Sequence, residues 1–172
     1  MQRRIAITGP ESTGKSWLAE HLALEFHTGW VPEYAREYLN SLNRPYLQED
    51  IRKIAEGQWK REEMEARKGY PFLFCDTEFL VTRIWSLVKY GVCDPWIDAM
   101  LNTHRYDIYL LCDIDLPWES DPLREHPDKR QWLFNMYLEE VKCRKYPFLI
   151  VKGYGRDRLN CAIGAVNTLT HG

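Results

Sequence analysis

The sequence predicts an α/β fold in which helices cover both faces of a parallel sheet. Three observations carry that reading. Short, wholly apolar runs alternate along the chain with longer stretches of helical periodicity. The first such run leads through Gly9-Pro10-Glu11-Ser12-Thr13-Gly14-Lys15-Ser16 directly into a helical pattern. Two later runs end on carboxylates, Glu33 and Asp76, at what would be the carboxyl edge of the sheet, where open α/β sheets bind ligands. Strands that are apolar throughout belong to sheets buried on both faces, and those are parallel.

Each element has its own justification. Arg4-Ile5-Ala6-Ile7-Thr8 is a β-branched apolar run and reads as a buried strand. Leu18, Leu22 and Phe26 recur at helical spacing, so a helix opens at the glycine loop. Trp30-Val31-Pro32 makes a brief second strand that ends at Glu33, beside the first or third strand. A helix over 35–42 is broken by Asn43-Arg44-Pro45. From Gln48 to Lys68 the spacing predicts a long helix with Ile51, Ile54, Ala55 and Gln58 on one face, stopped by Gly69 and Pro71. Phe72-Leu73-Phe74-Cys75 is the third strand, closed by Asp76. A helix from about Glu78 to Tyr90 follows, then another after Asp94, with Pro95 suited to a first turn. Asp107 to Cys112 is the fourth strand, and Leu116 to Pro127 is irregular. Asp128 starts a helix reaching Lys145, Pro147 to Val151 is the fifth strand, and a last helix ends the chain.

Composition bounds the function. With 172 residues, 45% hydrophobic and 28% charged, the chain can bury one full core, and no linker or repeat divides it, so residues 1–172 read as one domain. The net charge of −2 gives no broad basic surface for nucleic acid. No apolar run is long enough to span a membrane, and no signal peptide is visible, so a cytoplasmic protein is expected. The five cysteines (Cys75, Cys93, Cys112, Cys143, Cys161) never form Cys-x-x-Cys and read as small core residues. Nothing in the composition opposes assembly into a homo-oligomer.

Chemistry concentrates in three places. Gly, four free positions and Gly-Lys-Ser between a strand and a helix is the phosphate-binding P-loop pattern. A strand turning through glycines into a helix N-terminus aims several backbone N–H groups at one spot, where the helix dipole also favours an anion. Gly9 and Gly14 supply torsion angles that side chains resist. Lys15 then lies along the β- and γ-phosphates of a nucleoside triphosphate, and the Ser16 hydroxyl ligates Mg²⁺. Glu11, Ser12, Thr13 and Leu18 complete the expected nucleotide site. Asp76 stands where a P-loop protein places the carboxylate that reaches Mg²⁺ or its waters, although an Asp there can also cap the next helix. Glu33 could take the proton of an acceptor hydroxyl, or simply pair with Arg36.

The third place is the irregular segment, which carries three prolines between Leu116 and Pro127 and, with the start of the next helix, Arg124 and Arg130. A loop of this kind at about 116–130 is where small kinases carry a closing lid, whose arginines neutralise the transferred phosphoryl group. The plainer alternative is a solvated loop whose arginines pair with Asp121 and Glu125.

Four motifs in order point to a family. They are the Gly9–Ser16 loop, Val31-Pro-Glu-Tyr-Ala-Arg-Glu37, Phe74-Cys-Asp-Thr-Glu-Phe79, and Trp118-Glu-Ser-Asp-Pro-Leu-Arg124. Together they resemble the ribosylnicotinamide kinase domain of the NadR family over essentially the whole chain. The resemblance implies a P-loop kinase-like three-layer sandwich, with a five-stranded parallel sheet and a lid segment. It implies ATP- and Mg²⁺-dependent phosphorylation of the 5′-hydroxyl of nicotinamide riboside, giving nicotinamide mononucleotide in NAD salvage. Lys15 and Ser16 would hold phosphate and metal. Glu33, Tyr34, Arg36, Asp76 and Thr77 would line the riboside site, with Asp121 and Arg124 on the lid. Tyr34, Trp59 and Trp85 are candidate rings for the nicotinamide, since Pro32 stands where some relatives have an aromatic. Larger family members carry a His-x-Gly-His nucleotidylyltransferase domain and sometimes a helix-turn-helix; this sequence shows neither, so adenylylation and repression are not expected.

Rival readings meet the residues poorly. A GTPase needs an Asn-Lys-x-Asp guanine reader, which is missing. A motor-type ATPase follows its strand-end Asp with a water-activating Glu, whereas here Thr77 follows Asp76 and Glu78 is one place too far. A kinase for another small acceptor and a non-catalytic nucleotide sensor stay open at this point.

Overall fold

The computed structural model describes residues 2–169. Its elements run β1 (Arg3–Thr8), α1 (Lys15–Glu25), β2 (Gly29–Val31), α2 (Tyr34–Ser41), α3 (Gln48–Ala66), β3 (Phe72–Asp76), α4 (Phe79–Tyr90), α5 (Pro95–Thr103), β4 (Ile108–Cys112), α6 (Arg130–Cys143), β5 (Phe148–Val151) and α7 (Gly155–Thr168). The five strands pair in the order β2-β3-β1-β4-β5, and every pairing is parallel. The predicted α/β class and five-stranded parallel sheet are therefore what the chain forms.

The apolar strands explain the layers. Side chains alternate across a strand, and here both faces are apolar. Ile5, Ile7, Phe72, Phe74, Leu110 and Cys112 turn to one side, against Leu18 and Leu22 of α1 and Leu159 and Ala162 of α7. Ala6, Leu73, Cys75, Tyr109 and Leu111 turn to the other, against Ile51 of α3, Leu80 and Ile84 of α4 and Val141 of α6. Each fully buried Ile or Leu contributes roughly 1.5–3 kcal/mol, so neither layer can be removed without losing the sheet. From β1 in the centre the chain moves out to β3 and β2 on one side and to β4 and β5 on the other. That reversal is a topological switch point, and the Gly9–Ser16 loop sits at it.

Element ends follow local chemistry. Glu78 caps α4 by accepting the Leu80 N–H at 2.6 Å, and Asp94 caps α5 by accepting the Trp96 N–H at 2.8 Å, with Pro95 in the first turn. The buried Asp50 of α3 accepts from Leu47 N–H, Tyr38 Oη and both terminal nitrogens of Arg44. Those bonds, Arg44's first, hold its carboxyl well below the usual carboxylate range and pin the loop between α2 and α3.

Several expected boundaries shift. The second strand runs Gly29–Val31 and leaves Pro32 outside, because proline brings no N–H to a ladder. The long helix stops at Ala66, short of Lys68. The helix expected from Asp128 starts at Arg130, after a 3₁₀ turn at Pro127–Lys129, and ends at Cys143 rather than Lys145. Cys75, Cys93 and Cys112 are core residues as expected, but Cys143 is exposed at the end of α6 and Cys161 is half-buried. The last helix ends at Thr168, and the expected run to the end of the chain falls on residues 170–172, outside those described. Among the described residues no helix is long and apolar enough to cross a membrane.

Candidate active site

The loop after β1 is shaped by contacts that few residues tolerate. Gly9 leaves the strand at φ +127°, and a Cβ there would fall 2.9 Å from the Cys112 carbonyl oxygen. Any side chain would push the loop off β4. Ser12 takes φ 57°, a left-handed conformation that non-glycine residues seldom adopt outside functional turns. The N-terminus of α1 has no side-chain cap and no acidic residue in its first turn. Its first N–H groups and its dipole are thus directed at whatever anion the loop receives.

Behind the loop lies a residue the motif does not contain. Arg158 of α7 is 1% exposed, and its guanidinium donates to Asp115 Oδ1 (2.7 Å) and to the carbonyls of Gly153 (3.0 Å), Thr13 (2.8 Å) and Asp113 (3.1 Å). It ties the P-loop to the ends of β4 and β5. Arg158→Ala strips the donor from the buried Thr13 carbonyl and the cation from the half-buried Asp115, and the lost bonds together cost about 3 kcal/mol. Thermal unfolding followed by circular dichroism should show a Tm lower by roughly 6–12 °C. An unchanged Tm would mean that the loop is held by other contacts.

Next to the loop, the Ser16 hydroxyl donates to Asp76 Oδ2 at 2.5 Å. The second oxygen, Oδ1, is buried with no hydrogen-bond partner among the described residues. Burial first, and then the negative charge of Glu33, push the Asp76 carboxyl up to about 7, while Ser16 and Lys15 pull the other way. A hydroxyl and an orphaned carboxylate oxygen side by side are hard oxygen donors, the kind Mg²⁺ accepts alongside phosphate oxygens and water. No cluster of three His, Cys, Asp or Glu side chains suited to a metal is found among the described residues. These two residues therefore fit a Mg²⁺ that is shared with phosphate rather than caged by protein.

The irregular segment folds over the loop as a lid. Ser12 Oγ accepts the Glu119 N–H at 2.8 Å and is approached by Arg124 Nη1 at 3.3 Å. Arg124 also donates to the Glu119 carbonyl. Glu11 of the P-loop accepts the backbone N–H groups of Glu125 and His126, each at 3.1 Å. Arg130 donates to the carbonyls of Leu116 (2.9 Å) and Ser12 (3.0 Å). On the far side Asp121 pairs with Arg36 at 2.9 Å, and Glu125 binds Tyr46 Oη at 3.0 Å and Lys89 Nζ at 2.9 Å. The solvated-loop alternative had Asp121 and Glu125 neutralising the lid arginines; instead they latch onto α2 and α4, and Arg124 faces the P-loop.

Loop, lid, α2 and α4 enclose a cavity of about 930 Å³, at the upper end of the range for small-molecule sites. One end is the P-loop with Lys15, whose Nζ donates to the Pro10 carbonyl at 2.7 Å. The other is an apolar wall that includes Leu39, Val81, Val88, Tyr46 and Trp85. Glu33 and Thr77 also line the cavity, and Thr77 holds φ 65° where the chain turns out of β3. Because Arg36 pairs with Asp121, Glu33 makes no salt bridge among the described residues.

Not every predicted residue reaches this space. Tyr34, expected to line the riboside site, packs its ring against Gly57 and under Arg61, whose guanidinium carbon is 4.5 Å from the ring centroid. Trp59 meets Trp96 edge-on and also lies outside the cavity. Of the three candidate rings, only Trp85 borders it, with Nε1 donating to Tyr46 Oη at 2.9 Å. Leu18, expected at the nucleotide, is fully buried on the core-facing side of α1. Asp121 and Arg130 act from outside the cavity lining, through the contacts given above. Sequence reading missed Tyr46, Glu125 as a latch, and Arg158. Arg158 did leave a signal, since it falls on the helical stripe of Leu159, Ala162 and Val166, where only a paired cation can be buried. Tyr46 left none.

Phosphate chemistry is what this arrangement suits, and fold and site define a P-loop nucleotide-binding protein. A family model described as an AAA domain matches residues 4–158, and the chain belongs to that family. It is 31% identical over 156 residues to the trifunctional NAD biosynthesis/regulator protein NadR of Salmonella typhimurium, covering 87% of this chain and 38% of that protein. Against the Escherichia coli protein of the same name it is 33% identical over 126 residues, covering 71% of this chain and 31% of the relative. The chain thus spans about a third of the length of the curated relatives it matches. A crystal structure of NadR protein in complex with NR superposes with a TM-score of 0.82 at 21% identity, covering 97% of this chain and 50% of that one. Deoxyadenosine kinase from M. mycoides superposes with a TM-score of 0.68 at 17% identity, covering 96% of this chain and 99% of that one.

Proposed function

We propose that this chain is an ATP-dependent kinase that phosphorylates the 5′-hydroxyl of nicotinamide riboside, giving nicotinamide mononucleotide in cytoplasmic NAD salvage. The observation that carries the reading is one cavity lined both by the P-loop and by the aromatic rings of Tyr46 and Trp85, and also by Glu33, a carboxylate without a salt bridge among the described residues. The kinship with the NadR proteins, and a fold shared with a NadR protein solved in complex with NR, support the choice of acceptor.

The chain's residues divide the work. Backbone N–H groups of the P-loop and Lys15 hold the phosphates, and Arg124 arrives from the lid to face the transferred group. Mg²⁺, held through Ser16 and Asp76, supplies neutralisation of phosphate charge when bound. Glu33 accepts or orients the hydroxyl proton of the acceptor. The closed lid excludes water, which would otherwise compete as acceptor. Trp85 and Tyr46 give the pyridinium ring an aromatic face. A motor-type ATPase gains no support, because the Glu78 carboxylate is buried away from the cavity and engaged in capping α4.

A nucleoside panel tests the proposal. Protein, Mg²⁺ and ATP are incubated with nicotinamide riboside, uridine, cytidine or deoxyadenosine, and the phosphorylated products are quantified by mass spectrometry. Attraction of a desolvated cation to an aromatic face is worth about 1–2 kcal/mol, so kcat/KM for nicotinamide riboside should exceed that for uridine or cytidine about 10-fold. Equal values would make this a general nucleoside kinase, and ADP release without any acceptor would make it an ATPase.

A further inference from the structure

We infer that Gln58, seated with Gly57 against Tyr34, is a positioning residue that sets the acid Glu33 relative to Asp76. The inference rests on the kinase reading above for its kinetic consequence, though its geometry stands without it.

The backbone ladder between β2 and β3 runs through Gly29, Trp30 and Val31, paired with Leu73, Phe74 and Cys75, and ends there. The next residue, Pro32, has no N–H to offer. Glu33 and Asp76 therefore both lie beyond the last rung of this ladder, and although Asp76 still pairs with Ile7 of β1, no β2–β3 rung fixes the separation of the two acids. The Glu33 backbone N–H approaches the Asp76 carboxyl across the gap, and a side chain from α3 ties the two further. Gln58 of α3, 5% exposed, donates from Nε2 to the Asp76 carbonyl at 3.1 Å and accepts the Tyr34 N–H on Oε1 at 2.7 Å. Tyr34 is the first residue of α2, so its N–H has no partner within the helix. The amide takes hold of the peptide on the carboxyl side of each acid.

Gly57 makes that grip close. A Cβ at this position would lie 1.9 Å from Tyr34 Cε1 and 2.2 Å from Cδ1. The ring occupies the space that a side chain would fill, and Arg61 covers its other side. Glycine in the middle of a helix is unfavourable, so its place here is explained by the ring it admits. An amide is also the right chemistry for the bridge. It satisfies one donor and one acceptor without adding a third charge beside two carboxylates.

The test compares Gln58→Leu, Gln58→Glu and Gly57→Ala with the unaltered chain, reading steady-state kinetics and hydrogen exchange of the Tyr34 backbone amide by NMR. In Gln58→Leu, kcat should fall roughly 10- to 100-fold, the scale of a small displacement of reacting groups. KM for ATP should stay within about twofold, because the P-loop is untouched. The Tyr34 amide should exchange faster. Gln58→Glu keeps an acceptor for that amide but loses the donor to the Asp76 carbonyl and adds a third charge, so it should retain the Tyr34 protection without recovering kcat. Gly57→Ala improves helix propensity but displaces the ring, so it should lower kcat with the fold intact. Unaltered kcat in folded Gln58→Leu and Gly57→Ala, or Tyr34 exchange indifferent to Gln58, overturns the inference. Failure of the unaltered chain to phosphorylate any nucleoside would instead overturn the kinase reading, and the exchange data would still report on the bridge.

Discussion

Lys15→Ala is expected to lower kcat about 10²- to 10³-fold while leaving the fold intact. The ammonium sits at the phosphate end of the cavity, and among the described residues its one hydrogen bond is to the Pro10 carbonyl of its own loop. Removing it therefore costs the fold little. It costs the reaction much, because loss of one preorganised electrostatic contact to developing charge typically raises a barrier by ~3–4 kcal/mol. Arg124 cannot replace it, since its guanidinium approaches from the lid, on Ser12 and the Glu119 carbonyl. Single-turnover kinetics beside a circular dichroism melt separate the two effects. Turnover near normal in a folded mutant would remove Lys15, and with it the phosphate loop, from the mechanism.

The parts that could be read from sequence are those where one residue type answers one local demand. Apolar runs such as Phe72–Cys75 sit between two helical layers, so they carry no alternation and read directly as central strands. The P-loop was legible because glycine, lysine and serine at fixed spacing serve one backbone geometry. What escaped depends on partners distant in the chain. Tyr34 follows the strand-end acid and looks like a ligand contact, but its direction is set by a missing side chain at Gly57, twenty-three residues on. Tyr46 sits in an irregular loop with no periodicity, and its position comes from the buried Asp50 knot and from Trp85. Leu18 follows the P-loop closely enough to suggest a nucleotide contact, yet the helical spacing that predicts α1 also turns it into the core. The lid's arginines were visible, but not that Asp121 and Glu125 hold α2 and α4 instead of them.

The two strand-end acids should answer differently to mutation. A 5′-hydroxyl is a weak nucleophile until a base takes or orients its proton. Glu33 borders the cavity without an ion pair, whereas Asp76 is bound to Ser16 and buried behind the loop. Glu33→Gln keeps shape and ATP affinity and is expected to lower kcat roughly 10²–10⁴-fold, the range of a positioned base. A loose phosphoryl transfer, in which the hydroxyl is mainly oriented, puts the loss at the low end. Asp76→Asn should weaken activity in a way that rising Mg²⁺ partly restores. It should also change stability with a definite sign. Its folded-state carboxyl is raised to about 7 from 3.8, so the stability it contributes is present below about pH 4 and lost as pH rises through 7. Without Mg²⁺ at pH 8, Asp76→Asn should therefore melt at a higher temperature than the unaltered chain, while Glu33→Gln, by lifting charge from Asp76, should gain less. Rescue of the Glu33 mutant by Mg²⁺, with none for the Asp76 mutant, would show the two roles to be reversed.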